Sequence, residues 1–452
     1  MALTLGDLVK EMRWSYVGPP SFLDLLYQGV SIDSREGCRE RLFVALRGDR
    51  HDGHDYVEEA WRKGSPMALV AKAMETPSIV VADTLEAFQG LASFLLDRWS
   101  PTVVAVTGSS GKTTTKEMVA ALLERHFRVH RTVGNYNNLV GLPYTVANMS
   151  PHAQVAVLEM GTNAPGEIAR LASIARPHIG VITNIGRAHL GPLGGIEGVR
   201  RAKAELLEGI RRDGVLVYNA DDPSCRQLAA SFPRVCSFGL EGGDVRGQSL
   251  RVEERDGRWW TLFTVQVEDE VQEMAIPMPG IHHVYNAVAA VAVAWKMGLT
   301  LEDMARALED FQGPKRRMTL RRWQGILILD DAYNANPDST WWALKTLVSL
   351  PARRRLALLG SMLELGDEAP YWHRWVGREA VALGMDWVGT LGEEAREVAR
   401  GVMEAGGVAQ TFTSHEEAAR FLETMLKEGD SLLVKGSRGM AMEKVLGLLG
   451  VE

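Results

Sequence analysis

The amino-acid sequence predicts an α/β protein of three domains: a small N-terminal α/β unit, a central parallel-sheet unit with a phosphate loop (P-loop), and a C-terminal doubly wound, Rossmann-like sheet. Three observations carry this. Short Val-, Ile- and Leu-rich runs alternate with helical segments over most of the chain, as parallel sheets covered by helices require. The alternation breaks and restarts near Ser100-Pro101 and again near Gly313-Pro314. At roughly 150 residues per domain, 452 residues leave room for three cores. The expected domains are therefore 1–99, 100–313 and 314–452.

In the first domain LFVAL (42–46) and SIVVAD (78–83) read as strands, and 56–64 and 84–99 as helices, the former closed by Gly64. In the second, TVVAVTG is a buried strand, followed by a Gly/Ser turn and a helix from Lys112 to about Phe127, with Met118, Val119, Leu122 and Leu123 at helical spacing. The runs 153–160, 178–185 and 214–219 are further buried strands. Residues 234–278, with an Asp256-Gly257 turn, read as antiparallel hairpins added to that sheet. In the third, GILILDD, RLALLGS, DWVGTLG, AQTFTS and SLLVKGS are strands, each followed by a helical segment.

Composition narrows the function classes. The formal net charge of −7 gives no basic excess to hold nucleic acid or anionic lipid, so neither is expected as a partner. Three cysteines make no disulfide framework and fit a reducing compartment. The N-terminus has no signal-peptide pattern and no apolar run reaches the ~18 residues that span a bilayer, so a cytoplasmic protein is expected.

Thr107-Gly108-Ser109-Ser110-Gly111-Lys112-Thr113-Thr114 lies between a buried strand and a helix. Glycines let backbone N–H groups turn toward phosphate oxygens at the helix N-terminus; Lys112 would reach the terminal phosphates and Thr113 would hold Mg²⁺. The position five residues before Gly111 is Val106 and not Gly, so the loop is a short T-G-x-x-G-K-T form that disfavours ordinary kinases and GTPases. Glu159 ends a buried strand, where a carboxylate faces the crevice of a parallel sheet and can hold Mg²⁺. His189, shortly after Thr183-Asn184, is a weaker candidate, and Lys203, beside Arg200, Arg201 and Glu205, reads by position as a solvated helix lysine. The residues by themselves imply a Mg²⁺-nucleotide enzyme of phosphoryl transfer or ligation.

The loop TGSSGKTTTKEM, with GNYNNLVGLP (134–143), LEMGTNAPGEI (158–168), ITNIGRAHL (182–190), RAKAELL (201–207), DDAYNANPDS (330–339), LLGSMLELGDEA (358–369) and LVKGSRGMAMEKV (433–445), resembles the Mur ligase family over nearly the whole chain. VSIDSR (30–35) and GDRHDGHDY (48–56) resemble that family's UDP-substrate domain. The resemblance implies an ATP-dependent amide ligase of peptidoglycan assembly. It would join D-alanyl-D-alanine to UDP-N-acetylmuramoyl-tripeptide through an acyl phosphate, releasing ADP, phosphate and UDP-N-acetylmuramoyl-pentapeptide. A monomer is expected.

The resemblance also implies roles. Gly108, Ser109, Ser110, Gly111, Lys112, Thr113, Thr114, Asn286, Arg317 and Asp331 would bind ATP. Thr113 and Glu159 would hold one Mg²⁺, and His189 and Lys203, the latter as a carbamate, a second. Ser31, Asp33, Ser34, Arg35, Asn137, Asn138, Asn334, Asn336, Lys435, Ser437 and Arg438 would meet the other substrates. One segment departs from the family's Gly-Arg-His-Asn: it reads Gly280-Ile281-His282-His283, so His283 stands where an Asn would hydrogen-bond adenine. A motor or switch NTPase would lack a separate UDP-sugar domain. A nicotinamide oxidoreductase would need a G-x-G-x-x-G after GILILDD, which is missing.

Overall fold

Short apolar runs become strands of three separate sheets in the computed structural model, which describes residues 3–451. The N-terminal sheet has five strands in the spatial order Ser15–Val17, Ser78–Val80, Ala68–Val70, Leu42–Val44, Val30–Ser31. The first pairs antiparallel and the rest parallel. The expected helix 84–99 forms as Thr84–Trp99. Asp83 caps it by accepting from the Glu86 N–H, and left-handed Ser100 ends it. The expected helix 56–64 is shorter, Val57–Arg62, because residues Gly53–Tyr56 take a tighter 3₁₀ turn capped by Asp52.

The central sheet has nine strands. One end of it is Val215–Asn219, Ile179–Ile182, Thr102–Thr107, Val155–Glu159 and the edge strand Val129–Arg131, all parallel. The hairpin reading of 234–278 needs correcting at its start. Val235–Gly239 runs parallel to Val215–Asn219, because the helix Pro223–Ala229 returns the chain to the same end of the sheet. The antiparallel part is Val245–Arg255, Arg258–Val267 and Glu270–Ile276. Its first turn is the expected Asp256-Gly257, both residues at positive φ (50° and 73°), as a two-residue hairpin turn needs. The helix from Lys112 stops at Leu123, short of Phe127.

The C-terminal sheet has six strands in the order Thr319–Trp323, Ile326–Asp331, Ser431–Lys435, Arg355–Gly360, Trp387–Leu391, Ala409–Phe412. The edge strand Thr319–Trp323 was not anticipated. It pairs antiparallel through a Gln324-Gly325 turn at φ 48° and 76°. Parallel register places Asp331 opposite Lys435 at the carboxyl ends of neighbouring strands. One apolar cluster, running from Leu5 and Phe88 through Leu142, Ile182 and Leu206 to Leu344 and Leu433, joins the three sheets and their helices. Among the described residues no helix is long and apolar enough to cross a membrane.

Candidate active site

The strand Thr102–Thr107 lies between Val155–Glu159 and Ile179–Ile182, where the strand order reverses and carboxyl ends splay into a crevice. The phosphate loop fills that crevice, and its glycines are there because nothing larger fits. A Cβ on Gly108 (φ 146°) would lie 1.9 Å from Thr183 Oγ1, and one on Gly111 (φ 78°) 2.3 Å from Asn286 Oδ1. Thr183 Oγ1 donates to the Ser110 carbonyl (2.6 Å), and Asn184 Oδ1 accepts from the Ser110 N–H (2.9 Å). Lys112 folds over the loop and donates to the Gly108 carbonyl (2.7 Å). Burial holds its ammonium below the usual lysine range; Glu159 opposes the shift and Arg317 adds to it.

Glu159 is buried at 2% exposure. Its Oε1 accepts from Asn137 Nδ2 (2.8 Å), while Oε2 has no hydrogen-bond partner. A buried carboxylate oxygen without a donor calls for a cation. With Thr113 buried at the loop's end, the donor set is hard oxygen, which fits Mg²⁺. Among the described residues no three His, Cys, Asp or Glu side chains cluster as a ready-made metal cage.

His189 sits at left-handed φ 57°, with Nδ1 2.5 Å from Glu364 Oε2. Lys203 is not the solvated lysine that its position in the helix Ile196–Gly209 suggests. It is 1% exposed and makes no ion pair among the described residues. Burial first, then the charge of Lys112, push its ammonium well below the ordinary range. Arg200 is not the cause, since it pairs with Glu197 at 2.6 Å.

The crevice opens into a cavity of about 920 Å³ that the C-terminal sheet completes. Asp331 and Lys435 face each other at 2.5 Å, and Lys435 also donates to the Asn334 carbonyl (2.8 Å). The Arg317 guanidinium lies 4.1 Å from the centre of the Tyr333 ring. Arg438 reaches the same wall, bound to Glu443 (2.7 Å). Ser109 to Thr114, Asn137, Asn138, Glu159, His189, Asn286, Arg317, Asp331, Asn334, Asn336, Lys435 and Arg438 all line the cavity. Asn336 is also the cap of the helix Pro337–Val348, accepting from the Ser339 N–H (2.8 Å).

Gly108, Lys203 and Ser437 lie behind the wall, Ser437 accepting from the Leu363 N–H (2.9 Å). Ser31, Asp33, Ser34 and Arg35 are not brought into this cavity. Ser31 ends the edge strand Val30–Ser31 and the others follow it, bonding among themselves and to Glu59: Ser31 Oγ to the Asp33 carbonyl (3.0 Å), Ser34 Oγ to Glu59 (2.9 Å), Arg35 to Asp33 (2.6 Å).

His282 and His283, where the sequence departs from the family pattern, are buried with ring centres 4.0 Å apart, and none of their four ring nitrogens has a partner. Burial and Lys435 push the His282 imidazolium down to about 3, and burial with His282 pushes His283 down too, so both are neutral donor–acceptor rings. Asp221, bound by Tyr285 Oη (2.9 Å), and Asp222, bound by the Ile185 N–H (2.7 Å), follow the strand Val215–Asn219. Their signal was available: an Asn-Ala-Asp-Asp run at the carboxyl end of a parallel strand. Arg187 and Asp338, inside the quoted segments 182–190 and 330–339 but given no role there, also line the cavity, as does Trp372.

Three family models match the chain: Mur ligase family, catalytic domain, over residues 26–129; Mur ligase middle domain over 106–294; and Mur ligase, glutamate ligase domain, over 316–438. The chain belongs to the Mur ligase family. This Mur ligase is 35% identical over 448 residues to the UDP-N-acetylmuramoyl-tripeptide–D-alanyl-D-alanine ligase of Bacillus subtilis, covering 97% of this chain and 96% of that one. It is 34% identical to the Escherichia coli enzyme of the same name, over 99% and 98% of the two chains. Among solved structures it resembles MurF from Acinetobacter baumannii (TM-score 0.91, 32% identity, 100% and 99% covered). It also resembles the MurF ligase of Thermotoga maritima in complex with ADP (TM-score 0.84, 30% identity, 94% and 98% covered).

Proposed function

We propose that this Mur ligase joins D-alanyl-D-alanine to UDP-N-acetylmuramoyl-tripeptide at the expense of ATP. The observation that carries this is the pairing of end-to-end identity with ligases of that name and one cavity walled by a phosphate loop and by charged side chains of a separate sheet. The tripeptide carboxylate attacks the γ-phosphorus of ATP and ADP leaves. The amine of D-alanyl-D-alanine then attacks the acyl phosphate and phosphate leaves, with one proton lost from nitrogen.

Lys112 supplies a cation where negative charge crowds. Thr113 and Glu159 would hold one Mg²⁺, and His189 with a carbamate on Lys203 a second, the ions screening phosphate charge when bound. Arg317, Asp331 and Lys435 bring the C-terminal sheet to the nucleotide, and Asn334 and Arg438 line the path for the acceptor. His282 and His283 stand free to hydrogen-bond or stack on the base, in place of the family's Asn. Residues 1–99 carry the UDP-substrate domain in this reading, with Ser31 to Arg35 at its pocket, and 100–313 and 314–452 the ATPase and ligase domains.

Release of ADP, measured across a matrix of UDP-muramoyl peptides and amino acceptors, tests the reading. Turnover should require both the tripeptide and D-alanyl-D-alanine. Equal ATP turnover with neither present would make the chain a simple NTPase.

A further inference from the structure

We propose that Asp338, on the C-terminal helix Pro337–Val348, is a positioning residue for the phosphate loop and couples docking of the C-terminal sheet to nucleotide binding. The inference rests on the ligase reading only in taking the nucleotide to be ATP.

Asp338 spends both carboxylate oxygens on one residue of the central unit. Oδ2 accepts from the Arg187 backbone N–H (2.6 Å) and Oδ1 from Arg187 Nη1 (2.5 Å). The approach is built for a bare backbone, since a Cβ on Gly186 would lie 2.5 Å from Asp338 Oδ2. The Arg187 guanidinium lies 4.3 Å from the centre of the Trp372 ring, which fixes its plane from the other side. Nearby, a Cβ on Gly191 would strike the Gly366 backbone at 2.9 Å, so two further backbones meet with no side chain between them.

The same peptide reaches inward. Ser109 Oγ accepts from the Gly186 N–H (2.9 Å) and donates to the Gly186 carbonyl (3.0 Å), and the Ser109 N–H donates to the Asn184 carbonyl (3.0 Å). Residue 186 is thus held on one face by the phosphate loop and next to it, at Arg187, by the C-terminal helix. Withdrawing that helix frees the Arg187 N–H and loosens the brace on Ser109. Because coupling free energies are reciprocal, a nucleotide that orders the loop favours docking by the same amount. A partly exposed Arg–Asp pair by itself contributes little. The charge-accepted backbone hydrogen bond is the larger part.

The test separates those parts. Calorimetric affinity for Mg·ADP and kcat and KM for ATP are measured for Arg187→Ala, Asp338→Asn, Asp338→Ala and the Arg187→Ala/Asp338→Ala double variant. Asp338→Ala should weaken ADP binding, and raise KM for ATP more than it lowers kcat, by roughly tenfold. Arg187→Ala and Asp338→Asn each keep an acceptor for the peptide N–H and should lose only a few-fold. The double variant should be no worse than Asp338→Ala, since the two groups act as one unit. Melting temperature without nucleotide should fall by at most a few degrees, with the protein folded at the assay temperature. Wild-type affinity in Asp338→Ala overturns the proposal, as does an equal loss in Arg187→Ala, or a fall in melting temperature that accounts for the loss. ADP affinity is read without turnover, so a chain that needs no acceptor would defeat the ligase reading and leave this result standing.

Discussion

Lys112→Ala should lower kcat by roughly a hundred- to a thousandfold while nucleotide-free protein stays folded. Lys112 donates to the Gly108 carbonyl of the phosphate loop (2.7 Å) and lies 3.5 Å from that of Ser109. These contacts must be exchanged for phosphate oxygens when ATP enters, which the four-carbon stem allows. Removing the ammonium leaves charge unbalanced where the γ-phosphoryl group transfers, and the cost is largest in the transition state. Steady-state kinetics check this: kcat should fall far more than KM rises. Lys112→Arg should not restore the rate, because its planar head cannot fit under Gly108 as a point charge does. A variant keeping half the wild-type kcat would remove Lys112 from the chemistry. Folded stability should fall by about 1 kcal/mol, the scale of the bond that the side chain makes to the Gly108 carbonyl.

The phosphate loop was legible because its chemistry is local: Gly108, Gly111 and Lys112 must be contiguous, after a strand and before a helix, for backbone N–H groups to converge. Glu159 was legible for a similar reason, as a polar residue closing an apolar strand. Asp331 and Lys435 are about a hundred residues apart in sequence, and only the parallel register of their strands makes them neighbours, so the family resemblance and not the pattern brought them forward. The Val235–Gly239 strand was given the wrong direction because alternation tells a strand's faces but not its heading; the helix before it decides that. Arg187 and Asp338 are ordinary surface charges in sequence, and the glycine between the phosphate loop and Arg187 is what lets them matter.

Lys203→Ala should lose roughly a hundredfold or more in kcat, and formate or acetate should return part of it. Position in the helix Ile196–Gly209 gave a solvated lysine, whereas the side chain is buried at 1% exposure and feels the charge of Lys112. Both push the same way, toward the neutral amine. A neutral buried amine is the form that reacts with CO₂: nitrogen bonds to carbon, one proton leaves, and a carbamate with two anionic oxygens results. That product reverses the local charge logic. Burial disfavours either charged form, but beside Lys112 and a bound Mg²⁺ an ammonium is repelled and a carboxylate attracted, so the positive charge that helps depress the lysine would also hold its carbamate. The sign in pH follows: the amine fraction grows as pH rises through a depressed pKa, so activity in CO₂-limited buffer should be sustained at lower pH than an ordinary lysine would permit. Lys203→Met separates oxygen loss from cavity creation. It fills the space, supplies no oxygens and leaves no room for formate, so it should be as inactive as Lys203→Ala and should not be rescued. Intact-protein mass under native conditions should show the wild type heavier by one CO₂ and both variants not. Wild-type turnover by Lys203→Ala in CO₂-depleted buffer, with saturating substrates, would leave the buried lysine with a packing role alone.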